Sequence, residues 1–280
     1  MATRSVLLVV APDQRGLVAA VAEAIGAVGG NIVDADQHTD ADAALFLQRV
    51  DFETAEGAAE HFAVRFADTA KRLDLRWELY DAARPRRLAL VASRELHCLY
   101  DVLARCAAGE LDATVGVVAS NHVSTAEVAA RFEVPFVHIG GVDRGEREAV
   151  LAGAVEEAGA DVIVLARYMQ ILSAELCAEW AGRAINIHHS FLPAFAGARP
   201  YHQAHRRGVK LIGATAHYVT ADLDAGPIIV QDVTPVSHRD DVYRLRRRGA
   251  DLERVVLARA IGLHLEHRVL AYGNRTVVFD

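Results

Sequence analysis

Two polar side chains follow a short apolar run, and their types suit hydrogen bonding and proton transfer. Asn186 and His188 lie two residues apart in the segment Ala184-Ile-Asn-Ile-His-His-Ser190. In an extended strand, residues two apart project from the same face. An asparagine amide donates hydrogen bonds, and histidine exchanges a proton near neutral pH. The pair therefore predicts a site that donates a hydrogen bond and transfers a proton at one face of a strand.

A second polar group follows another apolar run, Ala214–Val219. The next residues include Asp222 and Asp224, and a Gly226-Pro227 turn follows them. Carboxylates in such a loop either cap a turn or assist proton transfer, and both interpretations stay open at this point. The same applies to His188, because a histidine at a strand end is often only a hydrogen-bonded surface residue.

The 13 histidines make a metal site worth considering. His188 and His189 are adjacent on a predicted strand, so their side chains diverge. The sequence has no HExxH motif and no Cys/His pair at zinc spacing. His202 and His205 lie three apart on a predicted helix, where a solvated face is a simpler interpretation than chelation. We therefore expect no required metal.

Residues 88–280 alternate short apolar runs with helical stretches, such as 96–107 and 144–158. The predicted strands are Leu88–Ala92, Thr114–Ala119, Pro135–Ile139, Val162–Leu165, Ile185–Ile187 and Ala214–Val219. This alternation predicts a Rossmann-like α/β domain with a mostly parallel sheet and helices on both faces. Ligands bind beyond the carboxyl ends of the strands in such sheets. The candidate positions therefore follow the runs: Ser93, Ser120–His122, Arg167–Met169, Asn186–Ser190 and Thr220–Asp224.

The first 81 residues have a different pattern, with strands and helices in the order βαββαβ. The predicted elements are strands at Val6–Val10, Ile32–Gln37, Ala43–Phe52 and Leu73–Leu79, and helices at Leu17–Val28 and Glu56–Lys71. This order is typical of a ferredoxin-like domain with an antiparallel sheet. A charged, proline-containing stretch separates the two patterns. We therefore predict domains at 1–81 and 88–280, joined by a linker at 82–87.

Composition narrows the class of protein further. The net charge of −7 argues against nucleic acid as a partner. No run of about 18 apolar residues occurs, so no membrane span is expected. Cys98, Cys106 and Cys177 form no CxxC pair, which favours a reducing compartment over a disulfide framework. The first apolar run is too short for a signal peptide, so we expect a cytoplasmic protein.

Three segments together carry a family resemblance. They are Asn186-Ile-His-His-Ser-Phe-Leu-Pro193, Gly197-Ala-Arg-Pro-Tyr-His-Gln-Ala204 and Leu223-Asp-Ala-Gly-Pro-Ile-Ile229. This set resembles the signature of folate-dependent formyl transfer enzymes. The segments at 165–172 and 274–276 and the position of His217 match it too. Across nearly the whole chain the sequence resembles the 10-formyltetrahydrofolate deformylases, the hydrolytic family of that group. The N-terminal βαββαβ pattern, with Ala11-Pro-Asp-Gln-Arg-Gly-Leu17 after its first strand, resembles an ACT domain.

The resemblance implies an ACT-like domain before a formyltransferase-fold domain, and it implies roles for particular residues. Asn186 and a protonated His188 would donate to the formyl oxygen as it becomes negative. Asp224 would orient His188 and help to remove a proton from the nucleophile. Ser190 is a less direct candidate. Implied substrate-binding residues are Met169, Gln170, Leu172, His217, Tyr218 and Leu223. The substrate would be 10-formyltetrahydrofolate, with no separate cofactor.

The formyl acceptor is predicted from the start of the second domain. The related purine-pathway transferase binds a phosphate there on a Gly/Asn/Ser-rich loop, as backbone amides at a helix N-terminus allow. Here the segment reads Ser93-Arg-Glu-Leu-His-Cys-Leu99, without glycine and with a carboxylate that repels phosphate. Cys98 in this segment is predicted to face the core behind a helix cap rather than to act as a nucleophile.

We therefore expect an enzyme that uses water as the acceptor and releases formate and tetrahydrofolate. Such a hydrolase would balance one-carbon folate pools and supply formate for purine synthesis. The alternatives are a formyltransferase with an amine acceptor and an amino-acid-sensing folate-binding protein. Residues 120–122 either reach the same site or only cap a loop.

The first domain is expected to do no chemistry. ACT-like domains often bind a small amino acid where two copies pair, and the loops at 13–17 and 29–31 would be the positions for it. A purely structural role in dimer formation is an equal alternative. The edges of so small a sheet favour pairing with another copy, so a homo-oligomer is expected.

Overall fold

The computed structural model describes residues 2–194 and 200–279, which form two compact units. The first unit comprises Met1–Arg84, Glu266–Leu270 and Val277–Asp280, and the second comprises Pro85–Leu265 and Ala271–Thr276. Residues 197–199 of the family signature lie outside the described residues. None of the helices in the described ranges combines the length and the apolar character that a membrane span requires.

The first unit follows a βαββαβ order. Its elements are β1 (Ala2–Pro12), α1 (Leu17–Gly26), β2 (Asn31–Asp40), β3 (Leu45–Ala55), α2 (Ala58–Leu73) and β4 (Arg76–Asp81). The antiparallel strands are ordered β2-β3-β1-β4. Ile25, Phe52, Phe62 and Phe66 are fully buried and belong to one apolar cluster shared by the sheet and both helices. That shared burial is what stabilises so small a sheet.

The strand predicted at 73–79 begins later than the sequence pattern indicated. Helix α2 continues to Leu73, and Asp74 ends it in the left-handed conformation with φ 54°. The Asp74 N–H donates to the Ala70 carbonyl, which closes the last turn. The apolar Leu73 therefore belongs to the helix, and the strand starts at Arg76.

The second unit is an α/β structure. Its elements are β5 (Arg86–Ala92), α3 (His97–Ala108), β6 (Ala113–Ser120), α4 (Ala126–Arg131), β7 (Phe136–His138), α5 (Arg144–Glu157), β8 (Val162–Ala166), α6 (Ala174–Glu179), β9 (Ala184–His188), α7 (Pro200–Arg207), β10 (Leu211–Tyr218), β11 (Ile228–Pro235) and α8 (Val242–Leu265). The strand order is β11-β10-β9-β8-β5-β6-β7. A two-stranded sheet of β12 (Val269–Tyr272) and β13 (Arg275–Val278) follows.

Strands β9, β8, β5, β6 and β7 are mutually parallel, which confirms the predicted mostly parallel α/β sheet. Leu88, Leu90, Ile163 and Ile185 of these strands are fully buried. Continuous apolar runs of this kind occur where a sheet is covered on both faces.

The sequence did not predict β11 or the direction of β10. β10 is antiparallel to both β9 and β11, and it pairs Tyr218 with Ile185 at the start of β9. The loop that follows β10 therefore leaves at the opposite end of the sheet from the carboxyl ends of the parallel strands. To bring Asp224 to His188 at the carboxyl end of β9, this loop has to fold back toward that end of the sheet.

Gly226 permits this return of the loop. A Cβ atom at that position would lie 1.8 Å from the Tyr218 carbonyl oxygen, which is backbone and cannot move aside. Only glycine allows so close an approach of two backbone segments. The result is that residues 219–225 lie beside β9 rather than beyond the end of β10.

Candidate active site

The two polar residues of β9 lie between strands β8 and β10. Asn186 is partly exposed and His188 is 6% exposed, while the alternating residues Ile185 and Ile187 are buried. Their spacing places both polar side chains on one face, as the sequence indicated. Strand β9 thus fixes the position of an amide and an imidazole within a rigid sheet.

His217 on β10 orients the amide of Asn186. The strand register places the two residues opposite each other, with Asn186 Nδ2 3.2 Å from His217 Nε2. His217 Nδ1 lies 2.9 Å from the Tyr218 carbonyl oxygen, which only accepts, so Nδ1 must carry the proton. Nε2 of the neutral ring is then an acceptor for the Asn186 N–H. Burial lowers the pKa of His217, which favours this neutral ring.

Asp224 reaches His188 from the returning loop. Its Oδ1 accepts the Nδ1–H of His188 at 3.1 Å and lies 3.8 Å from His217 Nε2. Asp224 itself has φ 55°, a left-handed conformation that a non-glycine residue adopts only where its surroundings impose it. The hydrogen bond from His188 lowers the pKa of the Asp224 carboxyl and keeps it ionised.

This arrangement leaves reactive atoms without a protein partner. His188 Nε2 and Ser190 Oγ are buried and have no hydrogen-bond partner among the described residues. With its Nδ1–H held by Asp224, His188 is fixed in orientation, and its Nε2 is left to act on a bound molecule. Asn186 likewise keeps a second N–H beyond the one it donates to His217.

A cavity of about 300 Å³ lies in front of these groups. Its lining includes Leu165, Arg167, Tyr168, Met169, Gln170, Ile171, Leu172, Cys177, Asn186, Ile187, His188, His189, His217, Val219, Thr220, Ala221, Asp222, Leu223 and Asp224. The lining is mostly apolar, and Met169, Ile171 and Leu223 are unusually exposed for large apolar side chains. Such an apolar slot with a few polar groups at one end suits a flat heterocyclic ligand.

Comparison with known proteins agrees with this geometry. Residues 86–261 match the family model of the formyl transferases. A formyltetrahydrofolate deformylase of Synechocystis sp. is 47% identical over 277 residues, covering 98% of this chain and 97% of that protein. The crystal structure of a formyltetrahydrofolate deformylase from Pseudomonas syringae pv. tomato has TM-score 0.94 and 45% identity, covering 100% of this chain and 95% of that one. The chain belongs to the formyltetrahydrofolate deformylase family.

The deformylase family shares the second unit's fold with transferases. The crystal structure of glycinamide ribonucleotide transformylase 1 from Symbiobacterium toebii has TM-score 0.68 and 34% identity. It covers 72% of this chain and 98% of that one. The family resemblance inferred from the sequence is therefore confirmed, and the fold alone does not separate hydrolysis from transfer.

Most residues that the deformylase resemblance singled out come together at the cavity. Two hydrogen-bonded pairs, Asn186 with His217 and His188 with Asp224, lie side by side there, and Met169, Gln170, Leu172 and Leu223 line the cavity with them. Tyr218 does not line it. The Tyr218 side chain is 4% exposed, and its hydroxyl is hydrogen-bonded to His264 Nδ1 at 2.8 Å, so its side chain is not placed for substrate contact.

The other loop positions have supporting roles. Ser93 Oγ donates to Asn121 Oδ1 at 2.8 Å and accepts the Met169 N–H at 3.1 Å. The His122 N–H donates to Ser120 Oγ at 3.0 Å, which matches the loop-capping interpretation of this segment. Helix α3 begins without a side-chain cap, so the cap predicted near Ser93 is wrong, whereas Cys98 is fully buried as expected.

Two residues of interest were not singled out from the sequence. Cys177 on α6 lines the cavity, and no sequence pattern marked it. Glu253 on α8 lies 3.3 Å from the cavity-lining Arg167. The sequence did contain a signal for Glu253. It is a charged residue among the apolar residues Leu252 and Val256 on the buried side of α8, where an apolar residue is expected.

Proposed function

We propose that this member of the deformylase family hydrolyses 10-formyltetrahydrofolate to formate and tetrahydrofolate through Asn186, His188 and Asp224. The observation that carries the proposal is the His188–Asp224 hydrogen bond at the polar end of an apolar cavity. An ionised carboxylate behind an imidazole, with an amide donor beside it, suits acyl transfer. The folate is the substrate, so the proposal includes no separate cofactor.

The reaction follows from the roles of these groups. Water adds its oxygen to the formyl carbon, and the second N–H of Asn186 and the Nε2–H of protonated His188 donate to the oxygen that becomes negative. Asp224 takes the proton that water loses. The bond from carbon to N10 then breaks as N10 receives that proton from Asp224, and the formic acid that forms loses its remaining proton to water and leaves as formate. Loss of one donor to the oxyanion costs on the order of 10²–10³ in rate.

Water as the acceptor is supported at the start of α3. That helix begins at His97 with Leu96 as its cap residue and no side-chain cap, and no glycine precedes it in segment 93–99. His97 already donates to Glu253 at 2.8 Å. A phosphate-bearing acceptor would therefore meet a carboxylate there. Formate release fits a role in balancing folate pools and in supplying formate for purine synthesis.

A formyltransferase with an amine acceptor is the second candidate function. The observation that favours it is the shared fold and 34% identity with glycinamide ribonucleotide transformylase 1. Because both reactions use the same formyl donor, only the acceptor distinguishes them.

The first unit is proposed as an ACT-like domain that forms a homo-oligomer and binds a small amino-acid effector. Its β2 is an edge strand in which every residue except Asp40 is exposed. An edge strand of that length favours pairing with a second copy. A cytoplasmic location stays a prediction from the sequence.

The test is incubation with 10-formyltetrahydrofolate in buffer without any amine, following formate and tetrahydrofolate together. Equal amounts of both products are expected from the wild type, with a loss of about 10²–10⁴ in kcat for Asp224→Asn. Asp232→Asn is the matched control, because Asp232 is an exposed carboxylate on β11. Turnover only after an amine is added would establish the transferase instead.

A further inference from the structure

A buried polar network lies behind the wall of the cavity. Glu253 of α8 is 1% exposed. Its Oε1 accepts the Tyr201 hydroxyl at 2.7 Å, and its Oε2 accepts the His97 Nε2–H at 2.8 Å. Arg167 Nε lies 3.3 Å from the same Oε2 as an ion pair, and this N–H has no hydrogen-bond partner among the described residues. Three helices and the end of β8 thus meet at one carboxylate that has no part in the proposed chemistry.

Gly249 shows that the sequence makes room for this network. It lies one turn before Glu253 on the same side of α8. A Cβ atom there would lie 1.9 Å from the Tyr201 hydroxyl oxygen. Glycine is unfavourable inside a helix. Its occurrence at position 249 is explained by Tyr201, whose hydroxyl could not reach Glu253 past a larger side chain.

The network is balanced in charge. Burial by itself would raise the pKa of Glu253, but the His97 hydrogen bond, the Arg167 charge and the Tyr201 hydrogen bond together lower it. The carboxylate is therefore ionised although it is buried. A buried charge of this kind is stable only with its partners, so loss of Glu253 leaves Arg167 buried without a counterion.

Arg167 connects the network to the cavity. Its φ of 65° is left-handed, which is unfavourable for a residue with a side chain. Directly after this turn, residues 168–172 enter the cavity wall. The Met169 N–H donates to Ser93 Oγ, which fixes the segment at one further point. The position of the wall therefore depends on how the Arg167 side chain is held.

We propose that Glu253 is a positioning residue for the folate cavity. It is the ion-pair partner of the buried Arg167 guanidinium, and the turn at Arg167 then sets where Tyr168–Leu172 lie against the bound folate. This inference rests on the proposed function for its kinetic test, but the position of the segment can be measured without any substrate.

A metal ion is the main competing interpretation of the same residues. Donor atoms of His97, Cys98 and Glu253 lie within 4.8 Å of one another. The Arg167 guanidinium, however, lies beside the carboxylate oxygen that a cation would use. Burial also raises the pKa of the Cys98 thiol well above its usual value, which disfavours the thiolate that a metal needs.

The first test is amide hydrogen exchange on the free protein, comparing wild type with Glu253→Gln. Exchange in residues 168–172 is expected to rise at least about tenfold, because the turn that orders them loses its anchor. Asp240→Asn is the matched control, since Asp240 is 5% exposed and lies 3.3 Å from Arg248 Nε, outside the cavity lining. Unchanged exchange in Glu253→Gln overturns the proposal. Should that variant fail to fold, Arg167→Gln serves the same test.

The second test is a double-mutant cycle with Arg167→Gln and Glu253→Gln. Each single change is expected to raise KM for 10-formyltetrahydrofolate about tenfold and to change kcat less than about threefold. The double variant should match the singles, because one residue acts through the other. Additive effects, or a fall in kcat at constant KM, overturn the inference.

Metal content and wild-type activity separate the remaining outcomes. Stoichiometric metal in the wild type that disappears in Glu253→Gln overturns the proposal in favour of a metal site. A wild type that does not hydrolyse the folate refutes the proposed function, and the exchange result still decides the role of Glu253.

Discussion

His217 decides which way the Asn186 amide faces. The Tyr218 carbonyl fixes the proton on Nδ1, so Nε2 accepts one Asn186 N–H and leaves the other free for the substrate. Asp224 likewise fixes the orientation of the His188 ring through the hydrogen bond to Nδ1. The oxyanion donors are thus held in place before the substrate binds, which is the source of electrostatic stabilisation in enzymes.

We predict that His217→Leu lowers kcat by about 10²-fold with little change in KM. The variant leaves the Asn186 amide without its acceptor, so the amide no longer presents a donor at a fixed position. Steady-state kinetics with 10-formyltetrahydrofolate measure this, with His205→Leu as a control because His205 is exposed on α7. An unchanged kcat in His217→Leu would refute the orienting role.

Residue spacing was enough to predict part of this site. Asn186 and His188 could be predicted to share a face because strand geometry alone determines it. Asp224 came from family resemblance, since a loop position gives no such constraint. Glu253 was missed because its partners, His97, Arg167 and Tyr201, lie far from it in sequence and meet only through tertiary packing.

At the scale of elements, helix α8 carries two glycines in different surroundings. A Cβ at Gly249 would lie 1.9 Å from the Tyr201 hydroxyl, whereas the nearest atom to a Cβ at Gly262 is Leu111 Cδ2 at 3.7 Å. Alanine is favoured over glycine in a helix interior by about 1 kcal/mol. Substitution by alanine should therefore stabilise the protein at Gly262, where there is room, and destabilise it at Gly249, where there is none.

We predict that Gly249→Ala lowers the free energy of unfolding by about 1–3 kcal/mol, because overpacking outweighs the gain in helix propensity. Gly262→Ala should raise it by up to about 1 kcal/mol. Urea unfolding followed by circular dichroism measures both. Stabilisation by both changes would mean that Tyr201 moves aside without cost.

In the sheet of the second unit, the positions of most strands could be predicted from the sequence, but their directions could not. Apolar runs located β5 to β10 because buried strands need apolar side chains on both faces. The runs carry no information about direction, so the antiparallel β10 and β11 were not predicted. Because β10 is antiparallel, the loop that bears Asp224 has to return along β9. It can do so only because Gly226 leaves room for it beside the Tyr218 carbonyl.

At the scale of the whole molecule, buried histidines link stability to pH. Burial lowers the pKa of His264 to about 4 and that of His189 to about 3, against 6.5 for an exposed histidine. The unfolded chain therefore binds more protons than the folded one between these values and 6.5. The stability that these two histidines contribute is fully present above about pH 6.5 and falls as pH drops through that window.

We predict that lowering the pH from about 7 to about 5 costs about 2 kcal/mol of unfolding free energy through His264 alone. His264→Gln removes that titration, so its loss of stability over the same range should be smaller by this amount. Denaturant unfolding at the two pH values, for both proteins, provides the comparison. An identical pH dependence would show that His264 is protonated without unfolding.

The composition of the first unit has a consequence for how the chain is made. Glu266–Leu270 and Val277–Asp280 belong to this unit, and Arg49 donates to the carbonyls of Glu266 and His267 within it. A ribosome synthesises residues 1–84 long before those carbonyls exist. The unit that is translated first therefore remains incomplete while Pro85–Leu265 of the second unit emerge. In a nascent chain that stops short of residue 266, the first unit should therefore lack part of its structure, even where residues 85–265 have already folded.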